Sequence, residues 1–167
     1  MINPTFNPFW KDLLSKVPAE ALAGQDLDST TFSFLTDVGL PKDNSCLDGA
    51  LEVNFYIQTG KITRKRYGDT DYYVIGDDLG SSFCLASDGK LFSIDLKGST
   101  KDEVFFVNSS IWQFLECINL FCTSQRMQDS VEYDRNVALK IDAFKKTDPE
   151  CLNNPVNWWS VIITDPF

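Results

Sequence analysis

The middle of the sequence contains a succession of short segments with the composition of β-strands. Five segments rich in β-branched and aromatic residues lie at 51–57, 71–76, 81–87, 90–96 and 103–108. The last four are separated by turns that carry Gly, Asp and Ser, and Asp88-Gly89 is the strongest hairpin signal. Parallel neighbours would need crossover connections of about a dozen residues or more, so these short turns predict a largely antiparallel sheet.

Segments with helical character lie on both sides of these strands. We predict helical segments within 8–17, 19–24, 27–41, 108–122 and 130–146. In the tail, we expect Trp158 and Trp159 to pack against the body of the protein. Helices, then strands, then helices predict an α+β fold, in which N-terminal and C-terminal helices flank a mostly antiparallel central sheet. The length of 167 residues fits a single domain spanning 1–167.

The sequence contains no histidine, and this excludes several kinds of catalytic site. A Ser-His-Asp triad, a Cys-His dyad, a histidine metal site and an imidazole general base all need one. The cysteines are widely spaced and form no C-x-x-C pair, so we expect buried, reduced thiols rather than a zinc site or disulfides. They are Cys46, Cys84, Cys117, Cys122 and Cys151.

The chain carries 24 acidic and 15 basic side chains, a net charge of −9. A chain this acidic is repelled by a phosphate backbone, so we expect no nucleic-acid binding. No apolar run approaches the ~18–20 residues of a membrane span and no leader peptide is evident, so we expect a cytoplasmic protein without membrane contact. The acidity either only maintains solubility or attracts a basic partner protein.

Neighbouring carboxylates are the candidates for acid–base or metal chemistry. Asp77 and Asp78 follow the predicted strand 71–76, Asp71 is its first residue and Asp69 precedes it. Neighbours in an extended chain point to opposite faces, so Asp77 and Asp78 do not converge by themselves, and a solvated turn explains them more simply. No Gly-rich phosphate-binding motif occurs. We therefore expect no catalytic residue, no metal and no cofactor.

The run from Lys61 to Arg66 is the single concentrated positive patch. We interpret it as the edge of a hairpin, where basic side chains discourage pairing with other chains. A role in binding a partner is the alternative interpretation.

Four segments occur in the order seen in the SUKH superfamily: FLTDVGLP (34–41), YYVIGDDLGSSFCLASDGKLFSID (72–95), FVNSSIWQFL (106–115) and DPECLNNPVNWWSVI (148–162). The sequence resembles the SUKH-4 type of immunity protein over residues 28–162. We interpret the motif positions as structural, forming a helix stop, a strand-end turn, a helix cap and core contacts. These positions are Gly39, Leu40, Pro41, Ile75, Gly76, Gly80, Asn108, Ser109, Phe114 and Trp158.

The resemblance implies a single SUKH-like domain without catalysis. Immunity proteins of this kind bind and neutralise a cognate secreted polymorphic toxin, often a nuclease, and we expect the free protein to be a monomer. We place the toxin contact at Asp69, Asp71, Asp77 and Asp78. Two other hypotheses stay open, a scaffold or regulatory module of the same fold and an enzyme that uses clustered acids with a divalent ion.

Overall fold

The computed structural model describes most of the chain, from the N-terminal region to the last helix. The described residues are 10, 12–42, 51, 53–56, 62–78, 80–95, 104–125 and 133–164. The strands are β1 (Leu14–Ser15), β2 (Leu40–Pro41), β3 (Asn54–Phe55), β4 (Thr63–Tyr67), β5 (Thr70–Asp77), β6 (Ser81–Ala86), β7 (Leu91–Asp95) and β8 (Val104–Asn108). The helices are a 3-10 turn at Ala19–Leu22, α1 (Ser29–Asp37), α2 (Ile111–Gln125), α3 (Tyr133–Thr147) and α4 (Trp158–Thr164).

A six-stranded antiparallel sheet forms the centre of the fold. Strands β5, β6, β7 and β8 are neighbours in chain order, while β3 and β4 both pair with β5 on its other side. Strands β1 and β2 form a separate two-stranded sheet. The predicted α+β fold with a mostly antiparallel sheet is therefore confirmed.

Both faces of the main sheet are apolar, and the larger core lies on the face that contacts the helices. Strand residues such as Ile75 and Phe83 meet Phe114 and Ile118 of α2 and Trp159 of α4 in one buried cluster. The opposite face carries a smaller cluster, consisting of Tyr72, Val74, Cys84, Ala86 and Ile94. Burial on both faces explains why the strands have nearly continuous apolar runs instead of strict alternation.

An aromatic cluster packs the C-terminal tail onto the sheet. The Phe114 ring lies 5.1 Å from Phe83 and 6.1 Å from both Trp158 and Trp159, measured between centroids. Phe144 of α3 completes the contact at 4.8 Å from Trp159. The predicted packing of the two tail tryptophans is confirmed.

The N-terminal region differs from the prediction. Instead of a helix within 8–17, the described residues there contain a turn and β1, and Asp12 has a φ of +68°. β1 pairs with β2, and the amide N–H of Val17 donates to Leu35 O at 2.9 Å. The helix prediction was wrong because this segment satisfies its backbone through partners 18 to 27 residues away in sequence, which local spacing does not reveal.

Four of the five cysteines lie in the described part of the chain, where they are buried and not joined in disulfides: Cys84, Cys117, Cys122 and Cys151. Cys46 lies outside the described residues. Burial raises the pKa of the Cys84 thiol to about 12, so this thiol stays protonated and unreactive at neutral pH. Among the described residues, no helix has the length and hydropathy needed to cross a membrane.

Glu116 on α2 provides a pH-dependent test of the packing. Its side chain is half-buried, and burial raises the pKa of its carboxyl. The folded state therefore holds this proton more tightly than the unfolded state, and the resulting stability is lost as the pH rises through the folded pKa. We expect Glu116→Gln to raise the free energy of unfolding at pH 7 by up to about 1 kcal/mol.

The measurement is urea unfolding of both proteins at pH 7 and pH 4. At pH 4 most of the advantage of Glu116→Gln should disappear, because the wild-type carboxyl is then largely protonated. Asp142→Asn on the exposed surface of α3 is the matched control and should show no such gain. An equal gain from both substitutions would show that general charge reduction, not burial of Glu116, is responsible.

Candidate functional site

The four aspartates predicted to contact a toxin lie at the two ends of β5. Asp69 is in the β4–β5 turn and Asp71 is near the start of β5, while Asp77 ends the strand and Asp78 follows it. At ~3.3 Å per residue, Asp71 and Asp77 are roughly 20 Å apart. The structure therefore brings the aspartates together in two pairs and separates the pairs.

The first pair is engaged by arginines of the same hairpin. Arg64 forms a salt bridge with Asp71, and Arg66 lies 3.9 Å from Asp69. The hydrogen bond from Arg64 lowers the pKa of Asp71, so this carboxylate is charged at neutral pH. The described part of the basic run, Arg64 to Arg66, lies in β4, which pairs with β5 alone among the described strands, and Lys61 lies outside the described residues. Two charges of the run are compensated by the first aspartate pair.

The second pair connects neighbouring elements. Asp77 accepts a hydrogen bond from the Asn54 amide of β3 at 3.0 Å. Asp78 accepts from the amide N–H of Ser81 at 2.7 Å and from that of Gly80 at 3.2 Å, which closes the turn before β6. The indole N–H of Trp158 also donates to Asp78 at 2.8 Å. Asp78 thus holds α4 against the β5–β6 turn.

We expect Asp78→Asn to lower the free energy of unfolding by about 1–2 kcal/mol, because the hydrogen bonds to this turn lose a charged acceptor. Asp69→Asn should change it by less than about 0.5 kcal/mol, since Asp69 is fully exposed. Urea unfolding of the two variants measures both values. Trp158→Phe, which keeps a large ring but removes the indole donor, should produce part of the Asp78→Asn loss. An unchanged stability of Asp78→Asn would contradict the role assigned to the turn.

A second polar cluster is buried beneath α2, and its centre is Asp148, which follows α3. The Asp148 carboxylate is fully buried and accepts from the Asn108 amide at 2.9 Å. It also accepts from the backbone N–H of Ser109 at 2.7 Å and from the Ser109 hydroxyl at 2.9 Å. A fourth hydrogen bond comes from the N–H of Glu150 at 3.2 Å. These contacts hold the start of α2 against the turn that follows α3.

Asn108 extends this cluster to α4. Its side-chain oxygen accepts from the indole N–H of Trp159 at 2.8 Å, while its amide also points to Cys117 Sγ at 3.6 Å. Burial raises the pKa of the Cys117 thiol, so Cys117 is not a nucleophile at neutral pH. One asparagine therefore links β8, the Asp148 turn and the last helix.

Glycine is required at two of the motif positions for steric reasons. A Cβ on Gly76 would lie 2.2 Å from the carbonyl oxygen of Asn54, because β3 approaches the backbone closely there. Gly39 has a φ of +97°, and its Cβ would lie 2.0 Å from the carbonyl oxygen of Ser15. Gly80 is different, since the nearest atom to its Cβ position is an Asp78 oxygen at 3.6 Å.

The other motif residues also have structural positions. Leu40 and Pro41 form β2, while Ile75 and Phe114 are fully buried in the larger core. The cap of α2 differs from expectation: the Ser110 hydroxyl, rather than Asn108 or Ser109, accepts from Gln113 N at 3.3 Å and donates to the Gln113 side chain. The Ser-x-x-Gln spacing is that of a capping box, but the Gln113 side chain accepts from the Ser110 hydroxyl and not from its backbone N–H.

Sequence reasoning missed Asp148 and Asn54 as partners of the motif residues. Asp148 opens the segment DPECLNNPVNWWSVI, so the motif itself contained the signal, but the spacing of 40 residues from Asn108 gave no reason to pair them. Within the described residues, no three Cys, Asp or Glu side chains converge as a metal site.

Side-chain hydrogen bonds therefore join motif segments that are far apart in sequence. Asp78 is bonded to Trp158, and Asn108 is bonded to Asp148 and Trp159. The family model described as SUKH-4 immunity protein matches residues 11–165. The chain belongs to the SUKH-4 immunity protein family. Searches of the curated proteins and of the solved structures gave no match.

For a SUKH-4 protein, this structure separates two sets of residues. The motif side chains Asp78, Asn108 and Trp158 are occupied by contacts inside the fold. The second set consists of exposed charged residues, some of which form ion pairs, and Asp69 at the hairpin tip is fully accessible to solvent.

Proposed function

We propose that this chain is an immunity protein that binds a cognate secreted toxin domain and neutralises it without catalysis. Membership of the SUKH-4 immunity family over residues 11–165 is the observation that carries this proposal. In this function, residues 1–167 form one domain that is cytoplasmic and monomeric before it binds the toxin. Its toxin belongs to the polymorphic class and is a cytotoxic enzyme such as a nuclease.

The distribution of charge supports a basic partner. The chain has a net charge of −9, and several acids of the N-terminal region are exposed outside the three described ion pairs. These are Asp12, Glu20, Asp26 and Asp37. The negative electrostatic field of these side chains accelerates the approach of a cationic domain, and the acceleration falls as ionic strength rises. A nuclease with a positively charged cleft is one such domain.

The experiment measures association with the purified toxin domain encoded beside this chain's gene. We expect tight one-to-one binding, with an association rate constant that falls at least about tenfold between 50 mM and 500 mM NaCl. An association rate independent of salt would remove the steering argument. No binding at either salt concentration, or the lack of any neighbouring toxin gene, would instead favour a scaffold or regulatory module of the same fold.

The four predicted contact aspartates need separate tests because the structure gives them different surroundings. Asp69→Lys should slow toxin association without lowering Tm, since Asp69 is exposed. Asp71→Lys disturbs the contact to Arg64, and Asp77→Lys disturbs the contact to Asn54. Asp78→Lys disturbs the turn that holds α4. The effect of these three variants on binding must therefore be compared with their Tm values. Association of all four variants at the wild-type rate would place the toxin contact elsewhere.

A further inference from the structure

Strand β4 has an outer edge with main-chain groups that point away from the sheet. A two-residue turn, Gly68-Asp69, joins β4 to β5, so the flanking pair Tyr67 and Thr70 is hydrogen-bonded. Hydrogen-bonded and non-hydrogen-bonded pairs alternate along an antiparallel ladder. The amide and carbonyl groups of Arg64 and Arg66 therefore face outward, and those of Lys65 face β5.

Within the described part of the chain, β4 pairs with β5 alone. The side chains of Arg64 and Arg66 are 57% and 64% exposed and lie on the same face of the sheet, so this face of the edge can be reached from solvent. Four outward main-chain groups lie in a row over three residues, which is the arrangement that an added strand uses for pairing.

The side chains select what can pair there. A second copy of β4 added antiparallel and centred on Lys65 would place Arg64 opposite Arg66 and Lys65 opposite Lys65, and like charges directly opposite destabilise a ladder. Lys65 is also outside the ion pairs found among the described residues. An extended segment with Asp or Glu near these positions would meet complementary charge, so the edge favours an acidic strand and disfavours self-association.

We propose that the outer edge of β4 is where the toxin adds an extended, acidic segment to the sheet. This inference rests on the proposed function and names the element that makes the contact. The main-chain groups of Arg64 and Arg66 bind the backbone of the segment, and the Lys65 ammonium, which is outside the ion pairs of the described residues, binds a carboxylate of the segment. Long-range attraction to the acidic surface and short-range pairing at this basic edge are then separate steps of one association.

The test compares Arg66→Pro with Arg66→Ala for binding of the same purified toxin domain. Both substitutions remove the guanidinium, but only proline removes the outward N–H, and proline is tolerated at a strand edge where no ladder bond is lost. We expect Arg66→Pro to bind at least about tenfold more weakly than Arg66→Ala, because the complex dissociates faster. Lys65→Glu should weaken binding as well, because it reverses the charge opposite the acidic segment.

The controls make the outcomes distinct. Urea unfolding should give similar stabilities for Arg66→Pro and Arg66→Ala, and Arg64→Pro against Arg64→Ala repeats the comparison at the second outward position if the first proline variant unfolds. Failure of the wild-type protein to bind the toxin domain would overturn the proposed function. Tight wild-type binding with equal affinities for the proline and alanine variants would overturn the β4 edge alone. Unchanged toxin binding with aggregation of Lys65→Glu would show that the basic residues only prevent pairing with other chains.

Discussion

Asp148→Ala is expected to lower the free energy of unfolding by at least about 3 kcal/mol. The carboxylate is fully buried and accepts from the Asn108 side chain, from the amide and hydroxyl of Ser109 and from the amide of Glu150. Removing it leaves these donors without an acceptor, and each unsatisfied buried polar group costs about 1–3 kcal/mol. For a chain of this length, the corresponding fall in Tm is roughly 6–12 °C.

Two variants show whether the hydrogen bonds are responsible. Asp148→Asn keeps the shape and one acceptor oxygen, so its loss should be smaller than that of alanine. Asp142→Ala, on the exposed face of α3, removes a carboxylate without buried partners and should stay within about 0.5 kcal/mol of wild type. Urea unfolding at pH 7 measures all three. Equal losses of unfolding free energy for Asp148→Ala and Asp142→Ala would show that the buried hydrogen bonds of Asp148 do not stabilise the fold.

Gly39→Ala is the second substitution with a large expected effect, and it should lower the free energy of unfolding by about 3 kcal/mol or more. A β-carbon at this position would lie 2.0 Å from the Ser15 carbonyl oxygen, and that oxygen belongs to backbone that cannot rotate away. The positive φ of 97° adds a conformational cost of about 1–2 kcal/mol for a residue with a side chain. Relief of the contact requires β1 to move away from β2.

Gly24→Ala is the matched control for backbone strain. Gly24 also has a positive φ, at 78°, but its β-carbon would have no atom within 4 Å. We expect a loss of about 1 kcal/mol from conformation alone. The difference between the free energies of unfolding of the two alanine variants therefore measures the cost of the steric contact between the added β-carbon and Ser15. Equal losses would show that this close approach adds nothing to the conformational cost.

Several features of the candidate site followed from local sequence. The short connections and their turn residues predicted an antiparallel sheet, and Gly89 adopts a φ of +81° in the hairpin signalled by Asp88-Gly89. Gly39 was predicted to belong to a helix stop, and it directly follows the C-cap residue of α1 with a φ of +97°. These predictions succeeded because a turn or a helix end depends on a few consecutive residues.

The positions of the four aspartates were less predictable. Sequence showed Asp69 and Asp71 close to Asp77 and Asp78, but an extended strand separates the pairs by roughly 20 Å. The partners of Asp78 and Asn108 came from the last helix, 80 and 51 residues away. Such pairings depend on how helices pack on the sheet, and local spacing carries no record of that packing.

The sequence by itself determined the α+β class, the largely antiparallel sheet, the exclusion of histidine chemistry and the resemblance to SUKH-4 proteins. The tertiary structure alone decided that residues 14–15 form a strand instead of a helix and that Asp148 is buried at the centre of a polar cluster. The physical reason is the range of the interactions. Period and turn chemistry act over a few residues, whereas a buried carboxylate or a β1–β2 pairing gains its stability from partners that only folding brings into contact.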